Sequence, residues 1–418
     1  MLTPPQYDST QTHSKFGSKF RMLWEIFLVS LKLGLTSFGG PSAHLGYFHE
    51  VYVRRHRWLS EKAYADLIAL AQFLPGPSSS QIGLGIGMTR GGLLGGIAAF
   101  LGFTLPSVIL LMLFALSLTA FELPFLTGLI HGLKLVAIAI VLHALSGMAK
   151  TLTPDNTRRG IALFALILAL LWHHTLAQVV IIVLTALYGL FFCNADHSDE
   201  RDSAPPIKQP LNQPLNKSIA YGALVLFMIF LVGLPVLSYF IDNPQSGVTL
   251  FEKFYRSGAL VFGGGHVVLP LLEQEFVPTG LIAHETFIAG YGATQAVPGP
   301  LFTFAAFIGT DIGGILGGIM ATIAIFLPGF LLMVGVMPFW ESLRRYRKAR
   351  GALMAVNAAV VGLLCAAFYT PLWTSTIHSP KDLSIAALLF ALIAFWRLPP
   401  WSIVCIGATF GILSGSVM

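Results

Sequence analysis

Polar residues that can donate hydrogen bonds follow four Gly- and Pro-rich breaks in an otherwise apolar chain. These donors are Ser42 and His44 after the first break, Ser78 and Ser79 after the second, His266 after the third and Thr303 after the fourth. A break between two half-helices exposes unpaired N–H groups and the partial positive charge of a helix N-terminus, which together favour an anion. Glycine also lets the backbone approach a ligand closely. We therefore expect an anion site formed by these donors and by the glycines of the breaks, which are Gly39, Gly40, Gly76, Gly264 and Gly299.

The four breaks are two copies of one pattern. Phe38–Pro41 reads FGGP and recurs as FGGG at 262–265, an offset of 224 residues. Pro75–Pro77 recurs as Pro298–Pro300 at an offset of 223. Paired Gly/Pro-interrupted apolar segments at matching places in two halves are typical of a transporter's substrate site. An alternative interpretation is that the glycines and prolines only kink the helices and let them pack closely.

A glutamine precedes each Pro-Gly-Pro by three residues, Gln72 in the first half and Gln295 in the second. Two roles fit this placement, because a proline leaves helix carbonyls without an amide partner. The glutamine side chains either donate to a bound anion or satisfy those freed carbonyls. Both glutamines are therefore candidate substrate-binding residues.

The composition excludes a soluble globular protein. Hydrophobic residues make up 55% of the 418 residues and charged residues only 11%, with a mean hydropathy of +0.75. In soluble domains about a quarter of the residues are charged. The net charge of +6 lies in short clusters beside apolar spans, which indicates cytoplasmic loops and not a nucleic-acid surface. The sequence has no zinc-ligand spacing, catalytic triad or nucleotide loop, so it predicts no metal, no cofactor and no enzyme.

Charge and polarity divide the chain into five parts. The predicted parts are a cytoplasmic tail at 1–22, a first membrane repeat at 23–193, a cytoplasmic linker at 194–217, a connecting transmembrane helix at 218–241 and a second membrane repeat at 242–418. After its first break the first half carries Arg54 and Arg57, whereas the second half carries Glu273 and Glu275. The positive-inside rule then places corresponding loops on opposite faces. The sequence therefore predicts an all-α polytopic membrane protein of two inverted-topology repeats with broken helices, its C-terminus on the periplasmic side.

Five charged residues are candidates for the path and coupling of the ligand. Arg54, Arg57 and Arg90 lie at the predicted cytoplasmic face, Lys134 falls inside an apolar span, and Glu50 is a candidate proton-linked carboxylate. A charge at membrane depth is costly unless it faces water or a partner, which makes Lys134 a candidate functional residue. For Arg90 the alternative is a positive-inside anchor, and for Glu50 it is a surface ion pair with nearby arginines.

The segments that carry these breaks resemble the chromate ion transporter family. The resemblance rests on Ser37–Pro41, on 58–77 and on their second copies, and it covers nearly the whole chain in the long, two-domain bacterial form. In the second copy Gly265 stands where the first has Pro41, which implies unequal roles for the two copies.

Membership of that family implies a multi-pass inner-membrane protein that exports chromate and confers chromate resistance. Its expected partners are chromate, protons and the lipid bilayer, and its driving force is the membrane potential or a proton gradient. Sulfate is the alternative substrate, since both dianions are tetrahedral and close in size. A membrane scaffold without transport is the other alternative.

Overall fold

The computed structural model describes residues 10–38, 40–120, 126–172, 175–192, 216–241, 243–262, 268–343, 346–374 and 376–415. Within these ranges the chain forms α-helices, short π and 3-10 segments and loops, with no β-strand. The predicted all-α class is therefore confirmed.

The helices of the first half precede one long connecting helix. They are α1 Thr10–Thr36, α2 Gly40–Phe48, α3 Glu61–Phe73, α4 Ser78–Ala120, α5 Leu126–Leu152, α6 Asn156–Leu171 and α7 Thr175–Phe192, followed by the connecting helix α8 Lys217–Tyr239. A π-helical segment, His49–Arg55, continues α2.

The second half repeats this order. Its helices are α9 Gly247–Ala259, α10 Val268–Phe276, α11 His284–Ala296, α12 Phe304–Val336, α13 Trp340–Leu343, α14 Arg347–Ala367, α15 Pro380–Ala394 and α16 Pro400–Gly415. The counterparts of α1 to α4 are thus α9 to α12, and α14 to α16 correspond to α5 to α7.

Side-chain caps fix where several helices begin. Ser60 accepts a hydrogen bond from the Ala63 amide at the start of α3, and Ser246 caps α9 in the same way. Ser379 and Asp382 form a reciprocal capping box at the start of α15. Each cap satisfies an amide that the first helical turn leaves without a partner.

The outer surface of the helices is apolar, as in proteins that face lipid. Among the described residues, five helices are long and apolar enough to cross a membrane: 78–118, 131–152, 217–239, 301–339 and 350–370. The most apolar part of α8 is only 17% buried, and its large side chains Val225, Met228 and Val232 are exposed. Such a surface is stable only in lipid. The chain is a multi-pass membrane protein.

Paired glycines make α4 and α12 into helical hairpins. The backbone of α4 leaves helical geometry at Gly91 and at Gly92, where φ is 62°. Gly313 and Gly314 have nearly the same angles in α12. After the turn the two arms run back along each other so closely that a Cβ at Gly87 would overlap the carbonyl of Gly95. The turn follows Arg90 directly.

The close contact of the α4 arms predicts a selective effect of alanine at Gly87. Gly87→Ala forces the arms apart, which costs about 1–3 kcal/mol as for other overpacked sites. Gly83→Ala is the matched control, because a Cβ there meets only the Phe48 ring at 3.8 Å. Both variants gain the same helix propensity. In thermal unfolding of the detergent-solubilised protein we expect a lower melting temperature for Gly87→Ala than for Gly83→Ala, and equal values would contradict the hairpin packing.

The two halves interlock through their last helices. Helix α5 packs against α15 and α16, and the equivalent helix α14 packs against α6 and α7. Glycines permit this approach: a Cβ at Gly132 would overlap the carbonyl of Gly407, and one at Gly189 would overlap that of Gly351. Close contact through small residues is a general basis of helix association in lipid. The broken helices join these packed helices through the contacts of α4 with α12 and of α11 with α5.

Candidate functional site

The first break separates α1 from α2. Helix α1 ends at Thr36, and α2 begins at Gly40, whose φ of 77° favours glycine. The amide of Ser37 closes the last turn of α1 by donating to the carbonyl of Leu33 at 2.8 Å. Gly39 and the side chain of Ser42 lie outside the described residues.

Main-chain hydrogen bonds join the four breaks in two pairs, each across the halves. The Gly299 amide of the fourth break donates to the carbonyl of Ser37 in the first, at 3.0 Å. The Gly76 amide of the second break donates to the carbonyl of Val261, next to the third, at 2.7 Å. The two bonds occupy equivalent positions, because Gly299 follows Gly76 by 223 residues and Val261 follows Ser37 by 224.

His44 lies at the junction of the first and fourth breaks. Its ring is fully buried beside Phe48 and Phe103. Its Nε2 donates to the Ser37 carbonyl at 3.2 Å, the same oxygen that receives the Gly299 amide. Its Nδ1 is buried and has no hydrogen-bond partner among the described residues. Because Nε2 donates, Nδ1 is an acceptor in the neutral ring and becomes a donor only in the imidazolium form, which the charge of a bound anion would stabilise.

The second arm of α4 brings the hydroxyl of Ser107 to the same junction, a residue that the sequence alone did not mark. Ser107 Oγ donates to the carbonyl of Thr104 at 3.0 Å. A Cβ built on Gly299 would lie 2.8 Å from Ser107 Oγ, which places this serine directly against the fourth break. The hydroxyls of Thr104 and Ser37 are buried without a partner in the described part of the chain. Of these two, the Ser37 hydroxyl lies within the first break and adds a neutral donor there.

The second break is polar, whereas its copy is apolar. Ser79 and Ser80 are buried and Ser78 is half-buried. Gln81 Nε2 donates to the carbonyl of Pro75 at 2.9 Å and lies 3.3 Å from that of Gly329. The equivalent residues of the fourth break are Leu301, Phe302, Thr303 and Phe304. The Thr303 hydroxyl donates to the carbonyl of Pro300 at 2.6 Å, so it is occupied by its own turn.

The two predicted glutamines have different surroundings. Gln295 is buried, and its Nε2 has no hydrogen-bond partner among the described residues. Gln72 is exposed although it occupies the equivalent position. Gly264 and His266 of the third break lie outside the described residues.

Most of the predicted charged residues are engaged in ion pairs. Arg90 bonds Glu25 at 2.9 Å and lies 4.4 Å above the centre of the Trp58 ring. Glu50 pairs with Arg55 at 2.9 Å and lies 3.9 Å from Arg54. These partners fit the anchoring alternatives raised for Arg90 and Glu50.

The remaining two charged candidates, Arg57 and Lys134, differ in their exposure to solvent. Arg57 is exposed in the loop after the π-helical segment, with a φ of 51°. Lys134 is nearly buried on α5, with its Nζ 3.9 Å from Glu285 of α11. The residue 223 positions later, Asn357 of α14, has a buried side-chain oxygen without a partner in the described ranges. Each half therefore has a polar side chain at the equivalent position of the equivalent helix, Lys134 in α5 and Asn357 in α14.

The backbone and side-chain groups at the breaks are suited to binding a ligand. The breaks supply backbone amides, hydroxyls, an imidazole and a glutamine amide, which are ligands for an oxyanion. In the described part of the chain no three His, Cys, Asp or Glu side chains come together to hold a metal.

Comparison with known proteins agrees with this architecture. The sequence model of the chromate transporter family matches the chain twice, at residues 24–190 and 248–412. The chain belongs to the chromate transporter family. The two matches leave the connecting helix α8 between them.

Several members of the family are similar over most of their length. An uncharacterized transporter of Methanocaldococcus jannaschii is 28% identical over 89% of each chain. The chromate transport protein of Pseudomonas aeruginosa is 28% identical over 81% of this chain and 79% of its own. That of Cupriavidus metallidurans is 26% identical over 99% and 98%. No solved structure matches this member of the family.

Proposed function

We propose that this protein is a secondary transporter that exports chromate across the inner membrane and so confers chromate resistance. The observation that carries the proposal is the pairwise joining of the four breaks by the bonds from Gly299 to Ser37 and from Gly76 to Val261. Non-helical backbone at membrane depth is tolerated where it lines a cavity or is buried in protein. Membership of the family and the names of the relatives supply the substrate.

The junction of the first and fourth breaks suits a tetrahedral dianion. His44 and Gly299 both contact the Ser37 carbonyl at this junction. Buried polar atoms without a partner among the described residues are Ser37 Oγ, His44 Nδ1, Thr104 Oγ1 and Gln295 Nε2. Helix N-termini add partial positive charge. We assign these residues to substrate binding together with Gly40, Gly76, Ser78, Ser79 and Gly299.

The direction of transport follows from the charge of the ligand. A negative interior favours the outward movement of an anion by about 2.3 kcal/mol per charge for each 100 mV. Export of a dianion therefore needs no nucleotide. In this proposal the two halves have inverted topology, the tail and linker are cytoplasmic, and one half rocks against the other around the joined breaks.

Everted inner-membrane vesicles provide the test, because outward transport becomes uptake. We expect energised vesicles that contain the protein to accumulate chromate, and vesicles without it to accumulate none. A protonophore should abolish uptake if the membrane potential or the proton gradient drives it. Excess sulfate measures how strictly the site distinguishes the two dianions. Uptake of sulfate without chromate would make this a sulfate transporter, and uptake of neither by correctly folded protein would contradict transport of these anions.

A further inference from the structure

A cavity with an excess of positive charge lies between α1, α2 and the π-helical segment. Its volume is about 240 Å³, and its polar lining consists of Lys32, Thr36, Tyr47, Glu50, Arg55 and His56. Apolar side chains complete the walls, among them Val29 of α1 and Val51 of the π-helical segment. The volume is sufficient for a small hydrated oxyanion.

The charges in this cavity are unbalanced. Among the described residues, the Lys32 ammonium makes no ion pair, whereas Glu50 is bonded to Arg55 and faces Arg54. The cavity is therefore lined by two cationic side chains, Lys32 and Arg55, and by one carboxylate, that of Glu50, which is bonded to Arg55. Tyr47 adds a hydroxyl group. A bound dianion would neutralise this set and accept its hydrogen bonds.

The same place in the second half is neutralised by its own side chains. The residue 224 positions after Lys32 is Arg256. Arg256 bonds Glu275 at 2.7 Å and Glu252 at 2.5 Å, and Lys253 bonds Glu275 at 3.3 Å. Both carboxylates are almost completely buried.

The duplication therefore keeps the cation in both halves but pairs that cation with carboxylates only in the second. The positions that correspond to Glu252 and Glu275 are Leu28 and Val51 in the first half. Val51 itself lines the cavity. An ion network with a carboxylate for each cation needs no external anion, whereas the ammonium of Lys32 has no carboxylate partner among the described residues.

The cavity also lies next to the first break in the chain. Thr36 lines it and is the last residue of α1, directly before Ser37. Lys32 lies on the same helix about one turn earlier, which is about 5 Å along the axis. An anion bound at Lys32 thus lies between one and two helical turns from Ser37, where the first and fourth breaks join.

We propose that this cavity is a second oxyanion site, in which Lys32 and Arg55 hold a tetrahedral dianion before it reaches the breaks. The identity of that dianion as chromate rests on the proposed function. In this arrangement Arg54, Arg57 and Arg90 do not contact the bound anion, and Glu50 orients Arg55.

The test compares substitutions inside and outside the cavity. In everted vesicles we expect Lys32→Gln to raise the chromate concentration for half-maximal uptake about tenfold, as for the loss of one charge-assisted hydrogen bond. Lys32→Arg should restore it. Lys19→Gln is the matched control, because it removes the same charge from the same helix, α1, at an exposed position outside the cavity. Equal effects of Lys32→Gln and Lys19→Gln, or no effect of either, would overturn the proposal.

A carboxylate introduced at Val51 supplies a reciprocal test. Val51→Glu reproduces the position of Glu275, so it should neutralise Lys32 and weaken chromate uptake about as much as Lys32→Gln. Val51→Gln has nearly the same shape as Val51→Glu without the charge and should retain clearly more chromate uptake than Val51→Glu. Equal uptake by the two variants would show that the cavity holds no anion.

Direct binding separates this proposal from the proposed function. Chromate, sulfate and molybdate are titrated into the purified full-length protein in a neutral detergent and into its Lys32→Gln variant. Lys32-dependent binding of an oxyanion without chromate transport would support the site and reject chromate export. Chromate transport that is independent of Lys32 would support chromate export and reject the site at Lys32. Displacement of bound chromate by phosphatidylglycerol at Lys32 would instead show a lipid-headgroup site and overturn the proposal.

Discussion

Gly299→Ala is expected to lower chromate transport about 100-fold, which corresponds to nearly 3 kcal/mol. The φ of Gly299 is 113°, where an L-residue is strained by about 1–3 kcal/mol. The new Cβ would also lie 2.8 Å from Ser107 Oγ and 3.1 Å from its Cβ. The turn must shift, so the Gly299 amide loses the Ser37 carbonyl and the two breaks separate. Initial rates in everted vesicles, normalised to the amount of folded protein, measure the effect.

Two further variants divide this effect into its causes. Gly280→Ala is the control for backbone strain, because Gly280 has a φ of 70° but no atom within 4 Å of the added Cβ. It should transport normally. Ser107→Gly should partly restore transport to Gly299→Ala, since the second half has glycine at the equivalent position, Gly329. Normal transport by Gly299→Ala alone would remove the fourth break from the site.

The all-α membrane architecture was predictable from the sequence because it depends on local properties. The chain has long apolar spans, few charges and a polar linker. In lipid every backbone amide must be hydrogen-bonded within the protein, so such spans form helices. The helix breaks were predictable for the same reason. Gly40, Gly76 and Gly299 all have positive φ, a conformation that only glycine adopts without strain.

The composition of the site was harder to predict because it depends on contacts between distant segments. Ser107 lies thirty residues after the second break in the sequence, yet it contacts the fourth. No local motif marks it or Thr104. Their one sequence signal is that they flank Pro106, whose copy Pro328 lies at the same offset as the glycine runs.

Internal repetition predicted equivalent positions but not equivalent environments. Gln72 is exposed and Gln295 is buried, although both precede a Pro-Gly-Pro by three residues. Similarly, His49 bonds Glu61 at 2.6 Å, while in the second half Glu273 takes the position of the histidine and His284 that of the glutamate, 3.3 Å apart. Packing against different neighbours decides the burial of each copy, and that information is absent from the pattern itself.

His44→Gln is expected to reduce chromate transport by roughly 10- to 100-fold while the protein remains folded. A glutamine side chain can place its Nε2 where the imidazole Nε2 donates to Ser37, so the bond at 3.2 Å is retained. The substitution removes Nδ1, which is buried and has no partner among the described residues. Loss of a charge-assisted hydrogen bond to the anion, worth about 1.5–3 kcal/mol, accounts for the expected reduction. Uptake rates in everted vesicles and the melting temperature in detergent are measured together.

His143→Gln is the matched control, because His143 is an exposed histidine on α5 away from the breaks. It should transport as the unmodified protein does. His44→Asn provides the opposite comparison, since an asparagine amide reproduces the position of Nδ1 and loses the bond to Ser37. Greater transport by His44→Asn than by His44→Gln, at equal stability, would show that Nδ1 contacts the anion. If both variants transported normally, the imidazole would serve only to pack between Phe48 and Phe103, and the anion would be held by the amides and hydroxyls of the joined breaks.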